Sequence, residues 1–484
     1  MKALTILGTA SNVGKSWVVT ALGAWLQRQG VKVAPFKAQN MSNNAYVTLE
    51  GGEIGRAQAV QASACGQRAI AQHNPILLKP AGNSTSQLVV LGEPRQHIKA
   101  ADYYRHIDSL WSVIQDTLDG WKHCCDVLLL EGAGSPVELN LMHRDIVNLR
   151  PLEYLDGRWL LVADIEKGGV FAQAVGTHAL LPSQAQTRGL GLIVNKFRGD
   201  LGLFATAADY FHQCLPQLPY LGVLPYWTDL QPESEDSLCE AAEAKGTGAI
   251  LAWIRLPYLS NSQDSQPWQL DTGIQVRWVR SPSDLTGAEI IVIPGSKNTL
   301  HDLRWLYITG LAQAIQGAAA QGIPVVGICG GYQMLCQGLV DPKGFAGDAG
   351  AISGLGLLPA ITHFAPRKQV RQVEAIWANQ TWQTYEIHMG HTQAIAPYQP
   401  LLQIQTQRGP QPEGMRQGKV WGTYLHGLFE LGQVRQDLTQ LAGIEHYQPA
   451  SVSWQAHQQQ LYQGMADGLE AHLNLEPVRH YLGL

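Results

Sequence analysis

A cysteine framed by glycines constrains this chain more than any other feature. Val325, Val326, Gly327 and Ile328 read as the end of a buried strand, and Cys329 falls where the chain must turn sharply. Gly330 and Gly331 then open a helix that runs through Met334 and Leu335. A strand that turns at once into a helix is a unit of a parallel α/β sheet, and the turn lies at the sheet's carboxyl edge. A thiol there sits near a helix N-terminus, whose dipole favours the nucleophilic thiolate. A cysteine is more commonly a small buried hydrophobe. Here Gly327, Gly330 and Gly331 remove the side chains that a core would use, so the nucleophile reading prevails. Cys336 has no such frame and reads as core.

A second strand, loop and helix start stands at residues 4–16. Gly8, Thr9, Asn12, Gly14, Lys15 and Ser16 fall in the loop that closes it. Backbone amides of such a loop cradle phosphates, Lys15 reaches the terminal phosphates, and the Ser16 hydroxyl can hold magnesium. The usual pattern leaves four residues between its two glycines; Gly8 to Gly14 leaves five, with Thr9 at the position expected to be glycine.

The rest of the chain fits two doubly wound α/β domains with mainly parallel sheets. In the first half, apolar runs at 3–7, 31–36, 127–130, 160–163, 190–194 and 221–224 alternate with helical segments. Such alternation predicts parallel strands with crossover helices. A second alternating set follows at 249–254, 275–279, 289–293 and 324–328. The expected boundaries are a nucleotide-binding domain at 1–230, an acidic connection at 231–248 carrying Glu233, Glu235, Asp236, Glu240 and Glu243, and a second domain at 249–440. A Gln-rich helical tail at 441–484 is expected to pack on that second domain.

Composition excludes several function classes. With 484 residues and 45% hydrophobic content, the chain can build sizeable cores. A net charge of -5 argues against a nucleic-acid partner. Seven cysteines without paired metal-type spacing argue against a disulfide framework or a zinc site and suit a reducing cytoplasm. The first residues enter a strand directly, so no signal peptide is expected, and no apolar run reaches membrane-spanning length. A homo-oligomer stays open.

Three strand ends add chemistry. Glu131 closes an apolar strand ahead of Gly132, Ala133 and Gly134, where a carboxylate can order magnesium opposite Ser16. Asp164 closes another, before Gly168 and Gly169; it either binds metal or substrate or caps the next helix. Asn195 and Lys196 follow a third strand, and the amide either reads a nucleobase edge or makes an ordinary turn. In the second domain His426 ends a short strand before Gly427, placed to pair with Cys329 as an ion-pair nucleophile. The turn Ile293, Pro294, Gly295, Ser296 can aim a backbone amide at the cysteine, and Gly330 can supply another, which together make an oxyanion hole.

These strings carry a resemblance. GICGGYQ at 327–333, IPGS at 293–296 and YLHG at 424–427 resemble the class I glutamine amidotransferase domain. The loop at 8–16 is similar to that of the dethiobiotin synthetase group, whose spacing shares the extra residue. FKAQNMSNN at 36–44 and YEIHMG at 385–390 closely resemble the cobyric acid synthase family, over nearly the whole chain. EIGRAQ at 53–58, LLKP at 77–80 and RDIVN at 144–148 extend the match.

The resemblance implies an ATP- and glutamine-dependent amidoligase of cobalamin biosynthesis. Its implied substrate is adenosylcobyrinic acid a,c-diamide, amidated at the b, d, e and g carboxylates through acyl phosphates. It implies Cys329 and His426 as glutaminase residues, with Gly295, Gly330 and Gln333 at the glutamine and oxyanion site. It implies ATP at Thr9, Asn12, Gly14, Lys15 and Ser16, with Mg2+ at Ser16 and Glu131. It points to corrinoid contacts at Lys37, Gln39, Asn40, Asn43, Asp145 and Asp164. Ammonia would need a shielded route from one site to the other.

In the wider amidotransferase class a glutamate two residues beyond the histidine orients its ring. Here that position is Leu428, and Glu430 is four residues away. The sequence therefore reads as a cysteine–histidine dyad, with a backbone carbonyl able to orient the ring. Two rivals remain: an amidoligase for another acid, such as the a,c-diamide synthase step, and a non-enzymatic P-loop switch, against which the intact Cys329 and His426 argue.

Overall fold

The computed structural model describes every residue of the chain except 83–84, 234–247 and 446. The chain divides into two compact units. Met1–Ser42, Glu53–Glu233 and His457–Leu484 form the first, and Asn43–Gly52 and Ser234–Ala456 form the second. The acidic connection expected at 231–248 lies mostly outside the described residues; Glu233, at its start, belongs to the first unit.

The first unit is built on a six-stranded parallel sheet. Its spatial order is Tyr220–Pro225, Gly189–Phe197, Arg158–Asp164, Lys2–Gly8, Val127–Glu131 and Val33–Phe36. Every one of these strands was legible as a short apolar run. The central strand Lys2–Gly8 pairs in parallel with Arg158–Asp164 and Val127–Glu131, so Ile6 stands opposite Glu131 and Gly8 opposite Val162. This register brings the phosphate-loop candidate and two acidic strand ends to one sheet edge. A smaller four-stranded sheet was not read from the sequence. Gln39–Met41 runs parallel to Ile76–Gly82, and Thr85–Val90 and Glu93–Lys99 continue it antiparallel.

The C-terminal tail corrects an expectation. It is helical, but from His457 onward it packs in the first unit and not on the second domain. Tyr462, Met465, Ala466, Leu469 and Leu473 recur at helical spacing and are buried against Trp25 and Leu26 of the helix Lys15–Arg28. Burying each of the larger side chains contributes roughly 1.5–3 kcal/mol. Arg28 adds contacts to Asp467 and, at 2.8 Å, Glu470. A stripe that apolar must be covered, and the phosphate-loop helix offers the matching face.

The second unit also centres on a six-stranded sheet. Its order is Ile274–Val279, Ala249–Ile254, Ala288–Ile293, Val325–Ile328, Val420–Thr423 and Met415–Gln417, parallel except for the last pair. A mainly antiparallel sheet accompanies it. Its spine is the long hairpin Ala360–Trp377 and Gln380–Ala394, and Leu425–His426 joins its edge. The chain thus leaves the parallel sheet at Thr423 and enters the antiparallel one at Leu425, so His426 sits where the two sheets meet. The segment Asn43–Gly52 also belongs to this unit, although the sequence placed it inside the first domain. Ala45 and Val47 pack on Tyr385 and Ile387, and Gln372 donates to the Val47 carbonyl at 2.7 Å.

Candidate active site

Cys329 adopts φ 53° and ψ -106° at the end of Val325–Ile328 and caps the helix Gly330–Leu335. A positive φ at a non-glycine residue is strained and marks the sharp elbow read from the sequence. The flanking glycines are sterically required. A Cβ on Gly331 would stand 1.9 Å from the Ile293 carbonyl oxygen, and one on Gly330 would stand 2.8 Å from the Ser296 nitrogen. The elbow and the Gly295–Ser296 turn therefore touch backbone to backbone. That turn is pinned in its own right. It pairs with Leu259–Ser260, and the Ser296 hydroxyl donates to buried Asp302 at 2.6 Å. Burial pushes the Asp302 carboxyl up to about 6.

Gln333 is buried beside the elbow. Its amide nitrogen donates to the Met389 carbonyl at 2.8 Å, and its oxygen accepts from Thr299 at 3.2 Å. It braces the helix against the hairpin. Cys336 lies in the core as expected, its thiol pushed up to about 12 by burial.

The histidine corrects the dyad reading. His426 is fully buried, and its Nδ1 lies 2.7 Å from Asp264 Oδ2. The other Asp264 oxygen accepts from the Gly427 backbone N–H at 2.8 Å, which fixes the carboxylate. The orienting acid therefore comes from the 3-10 helix Ser262–Leu270, far upstream, and not from beyond the histidine. Burial lowers the imidazole's pKa, but the Asp264 charge and hydrogen bond outweigh it. With a smaller push from Cys329, the result is a rise from 6.5 to about 9. Tyr385 stacks on the ring at 5.3 Å between centroids. Sequence reasoning missed Asp264 because it searched next to the histidine. One signal was available: between Arg255 and Asp271 it is the sole charged residue.

In the first unit the loop ends as anticipated. Asn12 and Gly14 take positive φ, 59° and 106°. Lys15 Nζ lies 2.9 Å from the carbonyl oxygens of Ala10 and Gly134, and Thr9 donates to Gln173 at 3.2 Å. Asn195 donates to the Val13 carbonyl at 2.8 Å, so it props the loop from below.

Ser16 donates to Glu131 Oε1 at 2.9 Å, and Lys37 reaches the same oxygen at 2.8 Å. Gln61 binds the second oxygen. Burial raises the Glu131 carboxyl, yet the Lys37 charge and these hydrogen bonds hold it below the usual carboxylate range. Hard oxygen donors from one hydroxyl and one carboxylate fit a magnesium that takes its remaining ligands from phosphates and water. The Gln61 Oε1 atom is buried with no hydrogen-bond partner among the described residues, and it leaves an acceptor for such a water.

The remaining candidates are spread out. Gln39 accepts from Tyr103, and Asn40 donates to Gln58 at 2.8 Å. Asp164 pairs with Lys196 at 3.1 Å. The Asp145 carboxylate accepts from the backbone N–H groups of Val147, Asn148 and Leu149, which holds Asn148 in place. Asn148 in turn clamps the Ala133 peptide on both sides, at 3.0 and 3.1 Å. Asp145 thus shapes the loop after Glu131. Asn43 lies in the second unit and is not grouped with the other five.

A cysteine elbow facing an Asp–His pair in one unit and a phosphate loop in the other define a glutamine amidotransferase fused to a nucleotide-binding domain. Residues 250–434 match the CobB/CobQ-like glutamine amidotransferase domain, and residues 4–238 match the CobQ/CobB/MinD/ParA nucleotide binding domain. Curated cobyric acid synthases align along almost the whole length. That of Herpetosiphon aurantiacus is 43% identical, covering 90% of this chain and 90% of its own. That of Chloroflexus aurantiacus is 44% identical over 88% and 89%. That of Nocardia farcinica is 41% identical over 99% and 96%. The chain belongs to the cobyric acid synthase family.

Proposed function

We propose that this chain amidates the b, d, e and g carboxylates of adenosylcobyrinic acid a,c-diamide, with ATP as activator and glutamine as nitrogen donor. The observation that carries the reading is the Cys329 elbow facing a histidine clamped by Asp264. Cys329 attacks the side-chain amide of glutamine, and the oxyanion is met by the backbone at Gly295 and Gly330. His426 protonates the departing ammonia and then activates water against the thioester. Asp264 holds the Nδ1 proton throughout and stabilises the imidazolium.

In the first unit the loop from Thr9 to Ser16 holds ATP phosphates, and Lys15 turns from the loop carbonyls to the terminal phosphates. Magnesium, when bound through Ser16 and Glu131, would neutralise charge on the phosphates. Lys37, released from Glu131, neighbours the carboxylate to be activated. Lys37, Gln39, Asn40 and Asp164 are the candidates for corrinoid contacts. Asp145 serves them indirectly, through Asn148. The acyl phosphate then loses phosphate to ammonia.

The test is incubation with ATP, magnesium, amide-nitrogen-15 glutamine and a panel of corrinoid acids, with labelled amides counted by mass. Four labels on the a,c-diamide are expected. Labelling of the non-amidated acid at a and c alone would place the chain at the earlier step. No labelling with any corrinoid would overturn the reading.

A further inference from the structure

One residue beside the histidine has no place in the mechanism above. Asn261 takes the left-handed conformation, φ 54° and ψ 49°, immediately before the 3-10 helix that carries Asp264. Its side-chain nitrogen lies 2.9 Å from His426 Nε2. A single turn thus grips both ring nitrogens, Asp264 on one and Asn261 on the other. The amide's orientation is set by its other end, where Asn261 Oδ1 accepts from the Ala45 backbone N–H at 3.3 Å. Nδ2 therefore faces the ring as a donor. The Asn261 backbone N–H in turn donates to Asn44 Oδ1 at 2.9 Å. Asn44 and Asn261 are both essentially fully buried.

A donor on Nε2 has a definite chemical effect. With Nδ1–H bound to Asp264, Nε2 carries the lone pair that must receive the Cys329 proton. Asn261 competes with the thiol for that lone pair. The thiol reaches the ring by a side-chain hydrogen bond and also lies 3.5 Å from the Ile387 carbonyl. The Asn261 bond suits the neutral ring and works against the Asp264 charge that raises the imidazole's pKa. Moving the proton from Sγ to Nε2 makes Nε2–H a donor, which then meets the Asn261 donor head on. The titratable groups facing the ring are Asp264, Cys329 and Tyr385, with Glu430 against the adjoining Gly427. Asp264 favours the imidazolium, and Asn261 opposes it.

We propose that Asn261 is a positioning residue that opposes proton transfer from Cys329 to His426 Nε2, and that Asn44 sets it in place. Asn44 lies in Asn43–Gly52, a segment of the second unit whose chain neighbours on both sides belong to the first. The proposal rests on reading Cys329 and His426 as the glutaminase pair.

The experiment reads thiol ionisation directly, without glutamine. Full-length protein is alkylated with iodoacetamide across a pH series, and the modification of Cys329 is followed by peptide mass mapping, apart from the other cysteines. Asn261→Ala is expected to speed Cys329 alkylation at neutral pH by up to about tenfold, the worth of one hydrogen bond, and to move the acid limb to lower pH. Asn44→Ala should move it the same way. An unchanged or slower Asn261→Ala overturns the proposal. If that variant does not fold, an Asn44→Ala profile equal to wild type overturns it. His426→Ala separates the two readings. A limb unaffected by losing the imidazole would refute the Cys329–His426 pair itself, and this inference with it.

Discussion

Replacing Asp264 by asparagine keeps the side chain's size and removes its charge. The Gly427 N–H at 2.8 Å still requires an acceptor, so the asparagine oxygen stays there and its NH2 turns to His426 Nδ1. A donor facing Nδ1 drives the ring proton to Nε2, the nitrogen that must take the thiol proton. The electrostatic loss can be sized. His426 stands at about 9 against an ordinary 6.5, a difference of about 2.5 (9 − 6.5), although burial alone would lower it. At 1.36 kcal/mol per unit this is about 3 kcal/mol, mostly from Asp264. Such a loss in the transition state slows glutamine hydrolysis on the order of a hundredfold. The tautomer error adds to it, and the equivalent change in a serine protease costs about ten-thousandfold. The expected fall in kcat is therefore between about 10² and 10⁴, with KM for glutamine little changed. Glutamate release at saturating glutamine measures it, and ammonia-driven amidation serves as the control for folding. A loss below about fivefold would refute the claim that Asp264 orients and charges the histidine.

Other outcomes follow from the same geometry. Glu430→Gln should keep glutaminase activity within roughly tenfold, because the acid that orients His426 is Asp264; a collapse like that of His426→Ala would contradict this. Lys15→Ala should stop amidation with either glutamine or ammonia while glutamine hydrolysis survives in part, read by ADP and glutamate release. Leu469→Ala removes a fully buried side chain from the core shared with the phosphate-loop helix. It should cost about 2–5 kcal/mol by denaturant melts. An unchanged midpoint would place the tail elsewhere.

Most strands of the two main sheets were readable because a strand buried on both faces is a continuous apolar run. Residues 127–130 and 325–328 are of this kind; Met415–Gln417, a mostly exposed edge strand, was not readable. The hairpin Ala360–Trp377 and Gln380–Ala394 was not readable, because its faces are half exposed and its polar residues, such as Arg367, Lys368 and Gln369, interrupt the pattern. The elbow and phosphate loop were legible because close backbone approach demands glycine at fixed spacing, as the 1.9 Å contact at Gly331 shows. Asp264 and Asn261 were not, because a side chain brought in by tertiary folding leaves no spacing to read. The same holds for Asn44, which the local string placed with Lys37 and Gln39, whereas packing on Tyr385 and Ile387 carries its segment into the other unit. The tail's helical stripe was visible, but a stripe records only that a face is buried, not its partner.

The most direct test of the whole account is the stoichiometry of one reaction vessel. Purified protein is given the a,c-diamide acid, ATP, magnesium and amide-labelled glutamine, and ADP, glutamate and labelled amides are counted together. The account predicts one ADP and at least one glutamate for every amide formed, with Cys329→Ala forming amides only when ammonia is supplied. Amide formation from glutamine by Cys329→Ala, or amides formed without matching ADP, would contradict it.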